Sequence, residues 1–487
     1  MERELWSGRT GFVLSAIGAA IGLGNIWRFS YVVYNNGGGA FLIPYFVALF
    51  TTGISLLILE FAIGNRFRGS TPLSFRRARR GFEWIGWWAV LGGFILVTYY
   101  VVIISWSLVY IFKSFTLAWG DDPNSYFFGS VLGLSGSPLD LGGFSSEILA
   151  SLIIIWVANW LIVAKGVEKG IERANRIFIP LLWILAIILV VRAVTLPGSL
   201  DGIDWYLKPD FSRLVDYNVW LAAYGQIFFS LSLGWGVMTV YASYLPENSD
   251  IVTNSFIISL ANCAFSFLLG FAVFGTLGYM ASATNQDIST VVDQSIGLAF
   301  VAFPKALSLL PGLKVFTAVV FFTSLVIAGL ATSISVFEAF ATGLMDKFGL
   351  ERNKAVNITF VMGLAGSILY ATRAGLYWLD IMDNFINIYG LMFVGFLEAL
   401  AIGWILGPEK VKVWVNKNSE IKAGRWWDVS IKLITPLVLA LLIMLNTKSN
   451  LESPYGGYPE IALAIGVVII LAGMIVSVVL SLMRGAE

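Results

Sequence analysis

Residues 18–25 read Gly-Ala-Ala-Ile-Gly-Leu-Gly-Asn, inside an apolar segment long enough to cross a lipid bilayer. Each glycine disfavours helix relative to alanine, so this stretch predicts an interrupted helix. A second interruption, Ser-Leu-Ser-Leu-Gly-Trp-Gly at 230–236, falls within another apolar segment. Unwound backbone at membrane depth is tolerated only where it lines a cavity or coordinates a ligand. Two broken spans in corresponding places of two halves indicate a transporter with a central site.

The composition is that of an integral membrane protein. Hydrophobic residues make up 58% of the 487 positions and charged residues 13%, with a mean hydropathy of +0.81, which excludes a soluble globular protein. Apolar runs predict twelve transmembrane helices and therefore an all-α membrane protein with one domain over residues 1–487. The predicted spans are 10–36, 39–65, 84–114, 147–165, 171–195, 217–244, 250–281, 312–346, 355–372, 376–407, 427–447 and 459–483.

Positive charge predicts the topology. The basic segments 66–80, 165–176 and 410–425 fall inside if both termini are cytoplasmic, as the positive-inside rule requires. We therefore expect a multi-pass cell (plasma) membrane protein, with a lipid bilayer and a small solute as partners and no nucleic acid. The oligomeric state is not determined by the sequence. On the opposite side, apolar periodicity over 288–303 predicts short helices above an outer vestibule.

Several chemistries are excluded by residue counts. The chain has no His and a single Cys, Cys263, so it cannot build a His/Cys metal cluster, a Ser–His dyad or an internal disulfide. No nucleophile–base set is visible, and an enzyme is not expected. The two breaks instead offer neutral oxygen ligands, a set that suits an alkali cation better than Mg²⁺ or Ca²⁺. These are the backbone carbonyls of Gly18, Ala20 and Ile21 and the side chains of Asn25, Ser230, Asn262 and Thr332.

Charged residues within predicted spans are functional candidates because burying them is costly. Arg28 and Asp383 are expected to pair at one mouth of a pathway when it closes. For Glu60 and Glu398 we favour a structural role, in which the carboxylate caps backbone amides of a broken helix.

Three motifs resemble those of the neurotransmitter:sodium symporter family, and in particular its prokaryotic amino-acid transporters. They are GAAIGLGNIWRF at 18–29, NGGGAF at 36–41 followed by Pro44-Tyr45, and GQIFFSLSLG at 225–234. The resemblance extends over essentially the whole chain. It implies a five-plus-five inverted repeat, 10–195 and 217–407, with broken helices 1 and 6 and two accessory helices over 427–483.

The resemblance also implies two sodium sites. The first would use the Ala20 carbonyl, the side chains of Asn25, Ser230 and Asn262, and the substrate carboxylate. The second would use the carbonyls of Gly18, Ile21 and Ala328 and the hydroxyl of Thr332. Relatives supply a further side-chain oxygen where this chain has Ala331. The second site would therefore be weaker, be completed by water, or differ in stoichiometry, so that one or two Na⁺ ions are expected.

The substrate pocket and gates are implied in the same way. The pocket maps to Ala20, Gly22, Leu96, Tyr100, Phe229, Ser230, Ser232, Trp235, Thr332 and Val336. Tyr100 resembles the tyrosine that holds the substrate carboxylate, and Phe229 the aromatic lid. The outer gate would be Arg28 with Asp383, and the inner gate Arg3 and Trp6 with Asp346. Gly170 and Pro180 match the spacing at which the fifth helix of relatives unwinds.

Chloride is a candidate further ion. Chloride-independent relatives carry an acid where this chain has Ser266, which the inferred fold surrounds with the hydrogen-bond donors Tyr45, Gln226 and Ser230. An equally weighted alternative is that another intramembrane carboxylate takes the place of chloride.

The sequence therefore predicts a sodium-coupled symporter that imports neutral, hydrophobic amino acids by alternating access. Monoamine-transporting relatives place an Asp at the position of Gly22, and its absence favours a substrate with its own carboxylate. The alternative is a gated channel or a non-transporting amino-acid receptor on the same scaffold.

Overall fold

The computed structural model describes residues 3–288 and 296–486, and these residues form helices joined by turns, with two isolated β-bridges and no strand. The helices are α1 (Arg9–Ala20), α2 (Leu23–Ile26), α3 (Arg28–Asn35), α4 (Gly39–Phe67), α5 (Thr71–Ala78), α6 (Arg80–Ser114), α7 (Ser146–Ala164), α8 (Val167–Val194), α9 (Ser199–Leu207), α10 (Tyr217–Ser230), α11 (Val237–Ser243), α12 (Ile251–Thr284), α13 (Leu298–Leu309), α14 (Lys314–Phe348), α15 (Arg352–Ala371), α16 (Gly375–Leu406), α17 (Pro408–Asn418), α18 (Arg425–Gly457) and α19 (Glu460–Leu482).

Ten of these helices are long and apolar enough to cross a membrane. They coincide with ten of the predicted spans, and most ends agree within a few residues. The clearest difference is α18, whose regular helix continues to Glu452 instead of ending near 447 and is followed by the short turn Tyr455–Gly457. Its last turns are polar, so an estimate based on apolar length misses them. The two other predicted spans, 10–36 and 217–244, are broken into pieces too short to cross.

The first break lies later than the glycine pattern predicts. Gly18 is still helical, α1 ends at Ala20, and only Ile21 (φ −76°, ψ 96°) and Gly22 (φ −113°, ψ −169°) are extended. The missing side chain at Gly18 serves close packing, because a Cβ there would lie 2.3 Å from Asn175 Oδ1. The helix opens at Gly22 because side chains take over the amides of Gly22 and Leu23.

The second break covers 231–236, as the sequence predicts. Ser232, Gly234 and Gly236 have positive φ angles of 52°, 76° and 71°, which no continuing helix allows. The amide of Gly234 donates to Glu60 Oε1 at 2.8 Å, so Glu60 caps this break as expected. The expectation for Glu398 is wrong in this structure, since neither of its carboxylate oxygens has a hydrogen-bond partner among the described residues.

The long helices place both breaks at the centre of the molecule. α14 packs against α6, α8 and α1, and α12 packs against α8, α4 and α1. Tyr100 of α6 and Thr332 of α14 thereby reach the first break, and Glu60 of α4 reaches the second.

The outer segment contains part of the predicted helical structure. α13 packs inward through Phe300, whose ring lies 5.9 Å from that of Trp106 and 6.4 Å from that of Trp27. The prediction for 288–303 also covers 289–295, which lie outside the described residues.

Candidate functional site

A small cavity of about 30 Å³ lies where the two breaks meet. All ten residues that the sequence assigns to a substrate pocket line it, together with two that the sequence did not assign to the pocket, Gly24 and Asn25. The lining consists of Ala20, Gly22, Gly24, Asn25, Leu96, Tyr100, Phe229, Ser230, Ser232, Trp235, Thr332 and Val336. Gly24 belongs to the same motif as Gly22, at 18–29, and its place in that motif could have indicated it.

One wall of the cavity carries the polar groups of the first break. The Leu23 amide donates to the Tyr100 hydroxyl at 2.9 Å, and the Gly22 amide donates to Asn25 Oδ1 at 2.9 Å. Ser232 Oγ donates to the Ala19 carbonyl at 2.8 Å, which ties the two breaks together. The amino end of α2 therefore faces the cavity with its positive partial charge.

The opposite wall is apolar. It is formed by Leu96, Phe229, Trp235 and Val336, and no Asp, Glu, Lys or Arg is among the described residues that line the cavity. The position of Gly22 is crowded, because a Cβ there would lie 2.9 Å from the Tyr100 hydroxyl and 3.0 Å from Thr332 Oγ1. The cavity thus combines one polar end with an uncharged, apolar body.

The four side chains around the predicted first ion site contact one another directly. Asn25 Nδ2 lies 2.8 Å from Asn262 Oδ1, 2.8 Å from Ser266 Oγ and 3.1 Å from Ser230 Oγ. Asn262 Nδ2 also donates to Ser230 Oγ at 2.7 Å. The structure therefore brings together the predicted ligands from α2, α10 and α12.

The predicted second ion site has fewer side-chain oxygens. Thr332 Oγ1 lies 3.4 Å from the Ile21 carbonyl, so α14 and the first break meet here. The next hydroxyl, that of Ser333, donates to Asn159 Oδ1 at 2.8 Å and faces α7 instead. Ala331 is fully buried, and Ala328 lies one turn before Thr332 on the same helix.

The predicted chloride ligands lie next to the first ion site. Ser266 Oγ accepts from Asn25, and the Tyr45 hydroxyl contacts Cys263 Sγ at 3.3 Å. Gln226 is 1% exposed, and both atoms of its amide lack a partner among the described residues. A buried amide left in this way is uncommon in proteins and marks a place where a ligand or water fits.

The outer gate differs from the expected ion pair. The Arg28 guanidinium lies 4.4 Å from the ring centroid of Phe229, and Asp383 accepts from the Tyr99 hydroxyl at 2.8 Å. Within 3–288 and 296–486, no Arg28–Asp383 salt bridge occurs. Arg28 instead covers the lid side chain through a cation–π contact.

The residues predicted to form the inner gate are joined to neighbouring segments by an ion pair and hydrogen bonds. Arg3 Nη1 lies 3.0 Å from Asp346 Oδ2, and two guanidinium nitrogens of Arg3 donate to Ser243 Oγ at 2.8 and 3.0 Å. The Trp6 indole donates to the Tyr241 carbonyl at 2.8 Å and is 4% exposed. The residues before α1 therefore fasten it to α11 and α14.

Sequence reasoning missed the ionic network beside this gate. Arg352 Nη2 lies 2.7 Å from Glu338 Oε2, and the Tyr244 hydroxyl donates to Glu338 Oε1 at 2.6 Å. Glu172 accepts from the backbone amide of Ser7 at 2.9 Å. Glu338 is a charge inside the predicted span 312–346, but its partner Arg352 begins the next helix, and no spacing rule predicts that pairing.

The fifth predicted span, α8, is irregular at the expected place. Its first residues, Val167–Glu172, which include Gly170, form a π-helical turn, and Pro180 lies inside the following helix. Such turns are frequently found at functional sites.

Comparison with known proteins places this geometry in context. The profile of the sodium:neurotransmitter symporter family matches residues 3–126 and 121–486. An uncharacterized sodium-dependent transporter of Methanocaldococcus jannaschii is 49% identical over 99% of this chain and 98% of its own length. The sodium-dependent dopamine transporter of Caenorhabditis elegans is 32% identical over 97% of this chain and 85% of its own. The sodium- and chloride-dependent glycine transporter 2 of Xenopus laevis is 30% identical over 94% of this chain and 66% of its own length.

Proposed function

The chain belongs to the sodium:neurotransmitter symporter family, and on that premise we propose that it imports neutral, hydrophobic amino acids with Na⁺ by alternating access. As a member of this family it is a sodium-dependent transporter and not an enzyme. We further propose twelve crossings, in which the two broken segments complete the ten long helices. The first ten crossings form the inverted repeat, and both termini lie in the cytoplasm of a cell whose plasma membrane holds the protein.

The observation that supports an amino-acid substrate is the polarity of the cavity. Its polar end offers the Tyr100 hydroxyl and the amino end of α2, which suit a carboxylate. Carbonyls of the two unwound segments suit the α-amine. The body of the cavity is apolar, and none of its described lining residues is charged, so a charged substrate side chain would be buried there without a partner. An amine without a carboxylate would find no acid at Gly22 to meet it.

Coupling to sodium follows from the position of the first ion site. Asn25 both lines the cavity and contacts Asn262 and Ser230. We propose that Na⁺ replaces these mutual hydrogen bonds with contacts to their oxygens and to the Ala20 carbonyl. The substrate carboxylate then completes the shell of the ion, and each ligand increases the affinity of the other.

The state of the two gates favours alternating access over a channel. The inner side is closed by Arg3, Trp6 and Asp346, and Phe229 with Arg28 covers the cavity on the other side. A continuous open pore is therefore not what this conformation offers.

A chloride ion beside the first sodium site is part of the proposal. Its ligands would be Tyr45, Gln226, Ser230 and Ser266, and the unpartnered amide of Gln226 supports it. The negative charge of chloride would add to that of the substrate carboxylate beside Na⁺, because none of the protein ligands proposed for this ion is charged.

Uptake into proteoliposomes tests the function. We expect saturable accumulation of leucine-like or aromatic amino acids against a gradient, driven by Na⁺ and not by K⁺. Tyramine and other decarboxylated analogues should not compete. Strong binding of tyramine without competition from tyrosine or leucine would overturn the substrate class, and sodium-independent equilibration would favour the channel.

A further inference from the structure

Asn175 presents a buried oxygen that the fold does not use. This residue lies on α8, is 0% exposed, and its Oδ1 has no hydrogen-bond partner among the described residues. Its Nδ2 donates to the Ile171 carbonyl at 3.0 Å. Because that partner is an acceptor, the nitrogen must face it, and the orientation of the amide is settled by its surroundings. A fully buried oxygen in this position calls for a ligand.

The oxygen is directed at α1, just before the first break. A Cβ at Gly18 would lie 2.3 Å from Asn175 Oδ1, so only glycine accommodates it. In a continuous helix the amide of Gly22 would donate to the Gly18 carbonyl one turn back. Here it donates to Asn25 Oδ1 instead. The Gly22 amide is therefore not available to the Gly18 carbonyl, and Gly18 itself lies beside the unpartnered oxygen of Asn175.

The proposed second sodium site lacks one side-chain oxygen at this place. Ala331 supplies none, and Ser333 is bound to Asn159. Thr332, whose hydroxyl lies 3.4 Å from the Ile21 carbonyl, is left as the ligand from α14.

We propose that Asn175 Oδ1 is a direct ligand of the second sodium ion and takes the place of the hydroxyl absent at Ala331. This inference rests on the proposed sodium coupling. A neutral amide oxygen is suitable for a hard monovalent cation. With it, the ion has five oxygens, from the carbonyls of Gly18, Ile21 and Ala328 and from the side chains of Thr332 and Asn175.

With Asn175 as a ligand, a movement of α8 would contribute to release of the second sodium ion. Asn175 lies three residues after the π-helical turn Val167–Glu172. If this turn unwinds, Asn175 moves away from Gly18 and the ion loses a ligand from α8. Ion affinity is thereby coupled to the conformation of this helix as well as to that of α1.

The test is Na⁺ binding to the purified full-length protein without substrate, followed as Na⁺-dependent thermal stabilisation with K⁺ as the reference salt. Asn175→Leu should raise the Na⁺ concentration for half-maximal stabilisation at least about tenfold, a usual cost for losing a group that holds a metal. Adding Ala331→Thr should restore much of the affinity. The matched control is Asn446→Leu, because Asn446 makes the same kind of bond, to the Leu442 carbonyl at 2.8 Å, on distant α18.

If Asn175→Leu needs the same Na⁺ concentration for half-maximal stabilisation as the wild type, while Thr332→Val needs a higher one, Asn175 is not a ligand but the second sodium site exists. If Asn175→Leu does not fold, Asn175→Asp retains the size and the oxygen and should bind Na⁺ more tightly. An unchanged curve for Asn175→Asp also overturns the inference. Absence of any Na⁺-specific stabilisation in the wild type overturns the proposed function itself, and the two failures are thereby distinguished.

Discussion

Arg3→Ala should shift the transporter toward an open inner side. Arg3 joins Asp346 at 3.0 Å and Ser243 at 2.8 Å, in a partly buried setting where the two charged side chains are 14% and 19% exposed. Exposed ion pairs contribute about 0–1 kcal/mol, and hydrogen bonds to charged groups about 1.5–3 kcal/mol. We take about 2 kcal/mol for this arrangement, which corresponds to about a 30-fold change in the equilibrium between closed and open.

That shift converts into a measurable change in affinity. If the closed state outweighs the open state about ten to one in the wild type, it falls to about one to three in the variant. The fraction of molecules with a closed inner side, which is the state that binds both ligands, then drops about fourfold. The apparent Kd for Na⁺ and for the amino acid rises by the same factor. The rise in Kd is smaller than the roughly 30-fold change in the equilibrium because about a quarter of the molecules still have a closed inner side in the variant.

The assay is Na⁺-dependent binding of a radiolabelled amino acid to the purified protein. Lys432→Ala is the matched control, since Lys432 and Glu409 form an exposed pair of similar length, 2.9 Å, away from α1. Asp346→Ala should weaken binding similarly, and the Arg3→Ala/Asp346→Ala double variant should show less than the sum of the single effects. Affinities equal to those of Lys432→Ala, or strict additivity, would refute the assignment of this pair as a gate.

Three further variants test the central site. Asn262→Leu removes an oxygen of the first ion site and should lower Na⁺ and substrate affinity together, on the order of tenfold or more, in equilibrium binding. Ser266→Glu should make uptake independent of chloride, and a wild type that already ignores chloride replacement contradicts that site. Gly24→Ala places a Cβ 2.7 Å from Phe229 Cε1 and should weaken substrate binding, whereas Gly225→Ala, whose Cβ meets only Met392 at 3.9 Å, should not.

The sequence predicts features governed by local chemistry. The ten continuous helices follow from apolar length, and the second break follows from its Ser, Gly and Trp pattern. Glu60 shows why an intramembrane carboxylate is informative, since it accepts from the Gly234 amide as expected. The lining of the cavity is predicted through resemblance, because no periodicity brings Leu96 and Val336 together.

The sequence is less informative where contacts between distant segments decide the geometry. The break was expected across all the glycines from Gly18, but Gly18 is helical and its missing Cβ makes room for Asn175. Arg28 was expected to pair with Asp383, yet its guanidinium lies over the ring of Phe229, 4.4 Å from the centroid. In both cases the deciding neighbour lies on another helix far along the chain. A glycine can interrupt a helix or allow close packing, and an arginine can pair with an acid or with an aromatic ring. Which of these occurs depends on the neighbouring side chains in the folded protein.

The contacts around the first break determine how the inner side can open. The outer piece, α2, is held by Tyr100 through the Leu23 amide. The inner piece, α1, is held at its start by Arg3 and Trp6 and by the bond from Ser7 to Glu172. Opening therefore has to break the contacts at the start of α1 while those of α2 persist. The extended residues between them are the natural hinge, and Gly18, which faces Asn175, moves with α1. An ion at the proposed second sodium site would oppose this movement until it leaves.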